Sequence, residues 1–211
     1  AMVNNQYTGT FGLCGTFSTF FSHHMSTMEG GVITTNDTEI YHLLLSLRSH
    51  GWTRHLPENN ALCQKNPDPF YESFRFIYPG YNLRPTEISA AIGIEQLKKV
   101  NQFIQERQDN ARYLATKMDN SYKVQQEKHG TSSWFGFSLL IEDPELNRTT
   151  IVNQLTQHGI ICRPIVSGNF LRNEVVHHLN YRIAGQQTQA NHIHDHGFFI
   201  GNHPFSLRQE I

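Results

Sequence analysis

The chain has little net charge, few cysteines and no long apolar run. Its 211 residues carry 17 Lys and Arg against 18 Asp and Glu, a formal net charge of −1, which gives no electrostatic reason to bind nucleic acid. No apolar stretch approaches the roughly 18 residues that a membrane-spanning helix needs, and the N-terminus has no charged-then-apolar signal pattern. We expect a cytoplasmic protein without nucleic-acid or membrane partners.

The three cysteines are Cys14, Cys63 and Cys162. An odd number of widely spaced cysteines fits reduced thiols better than a disulfide framework. An iron–sulfur cluster requires about four thiolate ligands or close substitutes. The cysteines of this chain therefore cannot hold such a cluster by themselves.

The hydrophobic pattern predicts a mixed α/β protein. Pro85, Thr86 and Glu87 open a segment whose apolar residues recur at spacings of three and four, which predicts one long helix over residues 86–118. After residue 120 the pattern alternates between strand and helix, which is typical of a small α/β domain. The predicted elements there are a strand at 134–141, a helix at 149–158 and a strand at 160–166.

A histidine cluster near the C-terminal end is a candidate for metal binding. His192, His194 and His196 alternate, so on a strand all three side chains would share a face, and imidazoles suit zinc, copper or nickel. Asp195 would point the other way, and no other carboxylate or thiolate lies in an obvious companion position. We expect no metal site.

The segment 17–31 carries the most information about function. It contains Ser18, His23 and the run Glu29-Gly30-Gly31, and it resembles the cofactor-lysine segment of the DegT/DnrJ/EryC1/StrS sugar aminotransferases. His23 stands where those enzymes have the lysine that captures pyridoxal phosphate. A lone histidine in a polar loop is usually a surface residue, but the flanking residues are in register with the family. The resemblance is to the histidine-variant branch, the nucleotide-sugar 3-dehydratases.

The substitution changes the chemistry that the resemblance implies. A lysine amine condenses with the cofactor aldehyde, whereas an imidazole does not. An imidazole with an ordinary pKa of about 6.5 suits proton abstraction near neutral pH. An aminotransferase is disfavoured because the first lysine of the chain is Lys65.

The resemblance implies the C3 dehydration of a nucleotide-linked 4-keto-6-deoxyhexose, as in deoxysugar biosynthesis for lipopolysaccharide and O-antigen. The cofactor would be pyridoxal 5′-phosphate or pyridoxamine 5′-phosphate, and His23 would be the base. Glutamate would restore the amine form of the cofactor.

Further segments match the family. Segment 79–93 is similar to a signature whose asparagine, here Asn82, reaches the cofactor phosphate of a partner subunit, which implies a homodimer. Ser18 matches a serine that binds the same phosphate. His50, within segment 48–52, would contact substrate or assist proton transfer; a partly exposed histidine after a helix is the open alternative.

Segment 159–169 resembles the small-domain strand that faces the cofactor in these dehydratases. It makes Arg163, Ser167 and Asn169 candidates for substrate binding, and the planar fork of an arginine suits carboxylate or phosphate. The implied fold is part of a fold-type-I pyridoxal-phosphate-dependent transferase. Residues 1–85 would be the end of the large domain, 86–118 a connecting helix and 119–211 the small C-terminal α/β domain.

The resemblance also implies missing parts. The aspartate that pairs with the pyridine nitrogen and the helix N-terminus that holds the phosphate belong to a first half without a counterpart in this chain. The alternative function is therefore a truncated and catalytically silent fragment that only self-associates. A related possibility is a split enzyme that pairs with a separately encoded N-terminal half.

Overall fold

The computed structural model describes all residues, 1–211, and divides them into two compact units, 1–100 and 101–211. Both units contain helices and strands, so the predicted α/β class is confirmed. No helix is both long enough and apolar enough to cross a membrane.

The first unit contains short strands and three helices. Strands β1 and β2 form a small antiparallel hairpin, and strands β3 and β4 form a second, two-stranded antiparallel sheet. The elements in chain order are β1 (Met2–Val3), β2 (Gln6–Tyr7), β3 (Gly15–Ser18), β4 (Gly31–Thr34), α1 (Thr38–Leu47), α2 (Pro69–Glu72) and α3 (Glu87–Leu97).

Side-chain caps fix where the two longer helices of this unit begin. The Asp37 carboxylate accepts the backbone N–H of Ile40 at 2.9 Å, before the first turn of α1. The Thr86 hydroxyl accepts the backbone N–H of Ser89 at 3.3 Å, before the first turn of α3. Each cap pairs a backbone donor that has no partner within its own helix.

The second unit is built on a four-stranded antiparallel sheet in the order β5-β7-β9-β8. Short 3₁₀ turns at Phe170–Arg172 and Glu174–His178 precede its last helix. The elements in chain order are α4 (Val100–Lys117), β5 (Tyr122–Val124), β6 (Gly130–Thr131), β7 (Gly136–Ile141), α5 (Arg148–Gln157), β8 (Cys162–Arg163), α6 (Thr188–His196) and β9 (Gly197–Gly201).

One hydrophobic core organises the second unit. Alternate residues of the central strand β7 are buried, as expected for a sheet with one covered face. The buried residues of this core are Ala111, Leu114, Trp134, Phe137, Leu139, Ile141, Phe198 and Leu207. They come from α4, the segment before β7, β7 itself, β9 and the C-terminal segment, so the core joins distant parts of the unit.

A buried polar network accompanies this core. The Asn202 side chain donates to the carbonyls of Arg107 and Trp134 at 2.9 Å each and accepts from Asn110 at 3.0 Å. The Arg107 guanidinium donates to the carbonyls of Phe135 and Asn202. Burial lowers the pKa of Arg107, because a low-dielectric surrounding disfavours the charged form.

The predicted single helix over residues 86–118 is interrupted. Helix α3 ends at Leu97 and α4 begins at Val100. Between them the backbone N–H of Lys99 donates to the carbonyl of Gln96 at 3.0 Å. This hydrogen bond spans three residues instead of four, as in a 3₁₀ turn, and it interrupts the series of α-helical hydrogen bonds.

The strand predicted over 160–166 is shorter than expected. Only Cys162–Arg163 pairs with β9. Pro164 has no backbone N–H to donate to a ladder, and Val166 has a left-handed backbone with φ of 53°. Both features end the strand.

The histidine segment forms a helix and not the strand on which its three side chains would share a face. His192, His194 and His196 lie in helix α6. The rings of His192 and His196 are one turn apart, with centroids at 4.8 Å, whereas His194 Nδ1 pairs with the backbone N–H of Asn169 at 3.1 Å. Helical geometry therefore removes the shared face on which the metal argument depended.

Candidate active site

His23 lies in the loop that joins β3 to β4. The two strands pair antiparallel from Gly15 opposite Thr34 to Ser18 opposite Gly31, so residues 19–30 form the loop of a hairpin. The backbone N–H of His23 donates to the carbonyl of Phe20 at 3.0 Å, and the side chain is half-buried. The hairpin thus presents the imidazole on a loop in which a backbone hydrogen bond fixes the turn at His23.

Ser18 ends β3 beside this loop. Its hydroxyl oxygen accepts the backbone N–H of Phe20 at 3.3 Å, and the residue is exposed. Because one lone pair is used by Phe20, the hydroxyl proton can point outward and donate to an anion. Ser18 and His23 are therefore brought onto one hairpin.

Asn82 and His50 are brought together by backbone pairing at the end of α1. Asn82 forms an isolated antiparallel bridge with Ser49, and the backbone N–H of His50 donates to the carbonyl of Tyr81 at 2.8 Å. The Asn82 side chain is exposed and that of His50 is half-buried. Both predicted residues therefore stand on one local scaffold, with the Asn82 amide open to solvent.

A close backbone approach shapes this scaffold. His50 has φ of 63° and Gly51 has φ of 83°. A Cβ on Gly51 would lie 1.8 Å from the carbonyl oxygen of Tyr78, so only glycine fits there. The left-handed conformation of His50 is a strained one for a residue with a side chain.

Arginines and aromatic rings gather next to His50, a feature that sequence reasoning missed. The His50 and Trp52 rings meet edge to face, with centroids 5.2 Å apart. The Arg54 guanidinium lies 4.8 Å from the centroid of the Trp52 ring, and that of Arg84 lies 5.9 Å from it, distances at which a cation is attracted to the ring. The short run Trp52-Thr53-Arg54 was the available signal, but Arg84 comes from another segment.

The arginines also act on His55. Burial, followed by the charges of Arg48, Arg84 and Arg54, lowers the pKa of His55. The same positive field favours anions at this end of the first unit.

Arg163 and Ser167 lie in the second unit, at β8 and in the segment that follows it. The exposed Arg163 guanidinium lies 4.6 Å from the centroid of the Phe199 ring on the neighbouring strand β9. Ser167 is half-buried, in a turn closed by the backbone N–H of Gly168, which donates to Ile165 at 2.8 Å. Arg163 is thus held by an aromatic face and keeps its donors toward solvent.

Asn169 has a structural role. Its side-chain oxygen accepts the backbone N–H of Leu171 at 3.1 Å, and its side-chain nitrogen donates to Asn191 at 2.8 Å. The residue is 5% exposed. The predicted contact between Asn169 and substrate stays a prediction.

Sequence comparison assigns the family. The profile of the DegT/DnrJ/EryC1/StrS aminotransferase family matches residues 1–210. The chain belongs to this family. Two relatives, from Yersinia pseudotuberculosis and Escherichia coli O55:H7, are each 51% identical over 215 aligned residues, and both are GDP-4-keto-6-deoxy-D-mannose 3-dehydratases. The match covers 100% of this chain and 55% of each relative, so the chain spans about half their length.

Structural comparison agrees with the family assignment. An E. coli GDP-4-keto-6-deoxy-D-mannose 3-dehydratase with bound hydrated pyridoxal phosphate superposes with a TM-score of 0.95 at 52% identity, covering 100% of this chain and 55% of the other. The fold is therefore that of part of a pyridoxal-phosphate-dependent transferase, as predicted. The domain boundaries at residues 85 and 118 stay a prediction.

Proposed function

We propose that this chain carries the base-bearing part of a pyridoxamine-phosphate-dependent sugar 3-dehydratase. Its substrate would be a nucleotide-linked 4-keto-6-deoxyhexose, with GDP-4-keto-6-deoxy-D-mannose favoured by the relatives at 51% identity. The observation that carries the proposal is that His23, an imidazole, stands in the loop where the family's aminotransferases have the lysine that captures the cofactor. The reaction removes the C3 hydroxyl of the sugar as water.

His23 is the base in this proposal. Its imidazole accepts a proton on a ring nitrogen and, unlike a lysine, leaves the cofactor uncaptured. The bond between its backbone N–H and Phe20 keeps the residue in the loop turn whichever side chain is present. When bound, the cofactor supplies an amine that condenses with the sugar ketone and a ring that accepts electrons.

Ser18 and Asn82 suit the phosphate of this cofactor. The Ser18 hydroxyl has its oxygen engaged by Phe20, so its proton can donate to a phosphate oxygen. The Asn82 side chain is exposed on a backbone fixed by the bridge to Ser49 and offers two N–H donors. In a homodimer, which we propose as the working form, Asn82 would reach the phosphate of the partner's cofactor.

His50, Arg163 and Ser167 are proposed substrate contacts. Arg163 offers a planar guanidinium to a carboxylate or phosphate, which fits both a nucleotide sugar and the glutamate that restores the amine. His50 stands at a strained backbone position beside Trp52, and strain of this kind concentrates at functional sites.

A polypeptide equivalent to the remaining part of the relatives is needed for full activity. The relatives are longer than this chain, and the aspartate partner of the cofactor ring is assigned by resemblance to their other part. We propose that such a segment, attached or separately encoded, completes the site.

Titration with pyridoxamine phosphate and pyridoxal phosphate tests the proposal. We expect the chain to bind both at micromolar concentration, measured by ligand absorbance and protein fluorescence. The His23→Lys variant should capture pyridoxal phosphate covalently, whereas the unsubstituted chain should not. Asn82→Ala, which removes a phosphate donor, should weaken binding about tenfold, since a hydrogen bond to a charged group contributes roughly that factor.

The second candidate is a catalytically silent fragment that only self-associates. It is favoured by the exposure of apolar side chains throughout the first unit, such as Ile33, Ile94 and Leu97, because large exposed apolar patches mark association surfaces. Self-association with no binding of either cofactor form, by the chain and by His23→Lys, would support this candidate over the enzyme.

A further inference from the structure

Two buried threonines close the loop that carries His23. Thr19 and Thr27 are 5% and 8% exposed, and their hydroxyl oxygens lie 2.7 Å apart. The backbone N–H of Thr27 donates to the carbonyl of Thr19 at 2.8 Å, and that of Thr19 donates to Gly30 at 3.0 Å. Residues 20–26 therefore form a separate tip above this closure, with His23 at its centre.

The distances decide which hydroxyl group donates its proton to which acceptor. The Thr27 hydroxyl lies 3.0 Å from the carbonyl oxygen of Glu29 and 3.3 Å from that of Thr19. A carbonyl can only accept, so the Thr27 proton goes to Glu29, the shorter contact. The Thr19 hydroxyl then donates to Thr27. This chain of two bonds ties the end of β3 to the start of β4 through the base of the loop.

Glycines make room for the hydroxyl pair. A Cβ on Gly30 would lie 2.8 Å from the Thr19 hydroxyl and 2.9 Å from that of Thr27, and Gly30 has φ of 148°. A Cβ added to Gly93 of helix α3 would lie 3.1 Å from the Thr27 methyl group. The pair is thus in close contact with two glycine positions, in keeping with its burial.

We propose that Thr19 and Thr27 are positioning residues for His23. They touch neither substrate nor cofactor in this proposal. Their paired hydroxyls fix the base of the seven-residue tip, so that the imidazole is presented in one place. The inference deepens the proposed function and rests on it for the role of His23, whereas the structural effect on the tip is independent of that function.

The test uses valine, which has the shape of threonine without the hydroxyl. In the full chain, we expect Thr27→Val to raise amide hydrogen exchange at residues 20–26 about tenfold, because a lost buried hydrogen bond lets the loop open more often. The NMR signals of the His23 ring should shift. Thr19→Val should have a smaller effect, since Thr27 keeps its bond to Glu29.

A second measurement reports on position rather than stability. In the His23→Lys background, covalent capture of pyridoxal phosphate is followed by absorbance. We expect Thr27→Val to slow capture about tenfold, the factor expected from the loss of one buried hydrogen bond, and Thr27→Ser, which restores the hydroxyl, to recover the rate. Thr16→Val is the matched control, because Thr16 lies exposed on β3 outside the loop, and it should change neither measurement.

The outcomes separate this proposal from the proposed function. If Thr27→Val lowers only the melting temperature, with unchanged exchange at residues 20–26 and unchanged His23 ring signals, the positioning role is wrong. If His23→Lys captures no pyridoxal phosphate with both threonines intact, the proposed function fails for this chain, and exchange and ring signals alone decide the threonine proposal. If Thr27→Val does not fold, Thr19→Val takes its place with a smaller expected effect, and Thr27→Ser, which keeps the hydroxyl, is compared with it.

Discussion

The two units of the chain differ in where their apolar side chains lie. The second unit buries a continuous set that includes Trp134, Phe137 and Phe198, whereas Leu56 is the only buried apolar residue of the first. In the first unit all four residues of β4 are exposed and α3 has no buried residue, although it carries Ile88, Ile94 and Leu97.

This difference shows that the two units obtain their stability differently. Burial of apolar surface is the dominant favourable contribution to folding. The second unit supplies that burial from its own side chains. In the first unit, backbone bonds, side-chain caps and close glycine contacts hold the short elements together, while most of the large apolar side chains stay exposed.

Separating the units gives the largest expected effect. Residues 100–211, with α4 intact, should unfold cooperatively with a stability of about 5 kcal/mol, the lower end for small domains. Residues 1–100 should show no cooperative transition and should bind an apolar dye. Circular dichroism in denaturant follows the unfolding of each fragment. A cooperative transition for residues 1–100 alone would show that the first unit is stable without the second and would refute this difference between the units.

Truncating the core should be the next largest effect. Phe137→Ala removes a side chain that is 1% exposed and should cost about 3–5 kcal/mol of unfolding free energy. Ile33→Ala, at a residue of the first unit that is 49% exposed, should change stability by less than about 0.5 kcal/mol. Equal costs from denaturant titrations would mean that the first unit has a core of its own.

The buried amide network predicts an intermediate effect. Asn202→Leu keeps the volume but removes the side-chain donor to the Trp134 carbonyl and the acceptor of the Asn110 side chain, so we expect a loss of about 2–3 kcal/mol. Asn153→Leu, on the exposed side of α5, is the control and should be nearly neutral. A neutral Asn202→Leu would show that water reaches the network.

The smallest effect concerns the charges of the first unit. NMR titration should place the pKa of His55 below its ordinary value of 6.5, and Arg84→Gln should raise it, because the variant removes one of the positive charges that lower it. The unfolded chain protonates His55 more readily than the folded chain does. The contribution of His55 to the free energy of unfolding is therefore complete above about pH 6.5, and it is lost as the pH falls below that value. Arg208→Gln, in the second unit, is the control. An equal rise in the pKa of His55 in this variant would show that the charge of the nearby Arg84 is not the cause.

Local patterns predicted the parts of the site that lie on one continuous segment. The family resemblance placed Ser18, His23 and Glu29 on one continuous segment, and the structure has the loop between β3 and β4 within this segment. The approach of Arg84 to Trp52 was not predictable, since it joins separate segments. The role of Asn169 depends on Asn191, a tertiary contact without a sequence signal.

The misassigned elements have similar causes. The alternation of His192, His194 and His196 gives no shared face because these residues form a helix, and period two in a short polar run does not distinguish a strand from a helix turn. The interruption of the long helix at Lys99 involves neither glycine nor proline, so no local signal marked it.

The closure of the loop by Thr19 and Thr27 has a consequence for how new reactions arise. The bonds that hold the loop belong to residues other than position 23, and His23 is tied to its turn by a backbone N–H. A mutation at this position therefore replaces the reacting group while the framework around it persists. One amino-acid exchange at position 23 therefore replaces an amine by an imidazole, or the reverse, without rebuilding the loop.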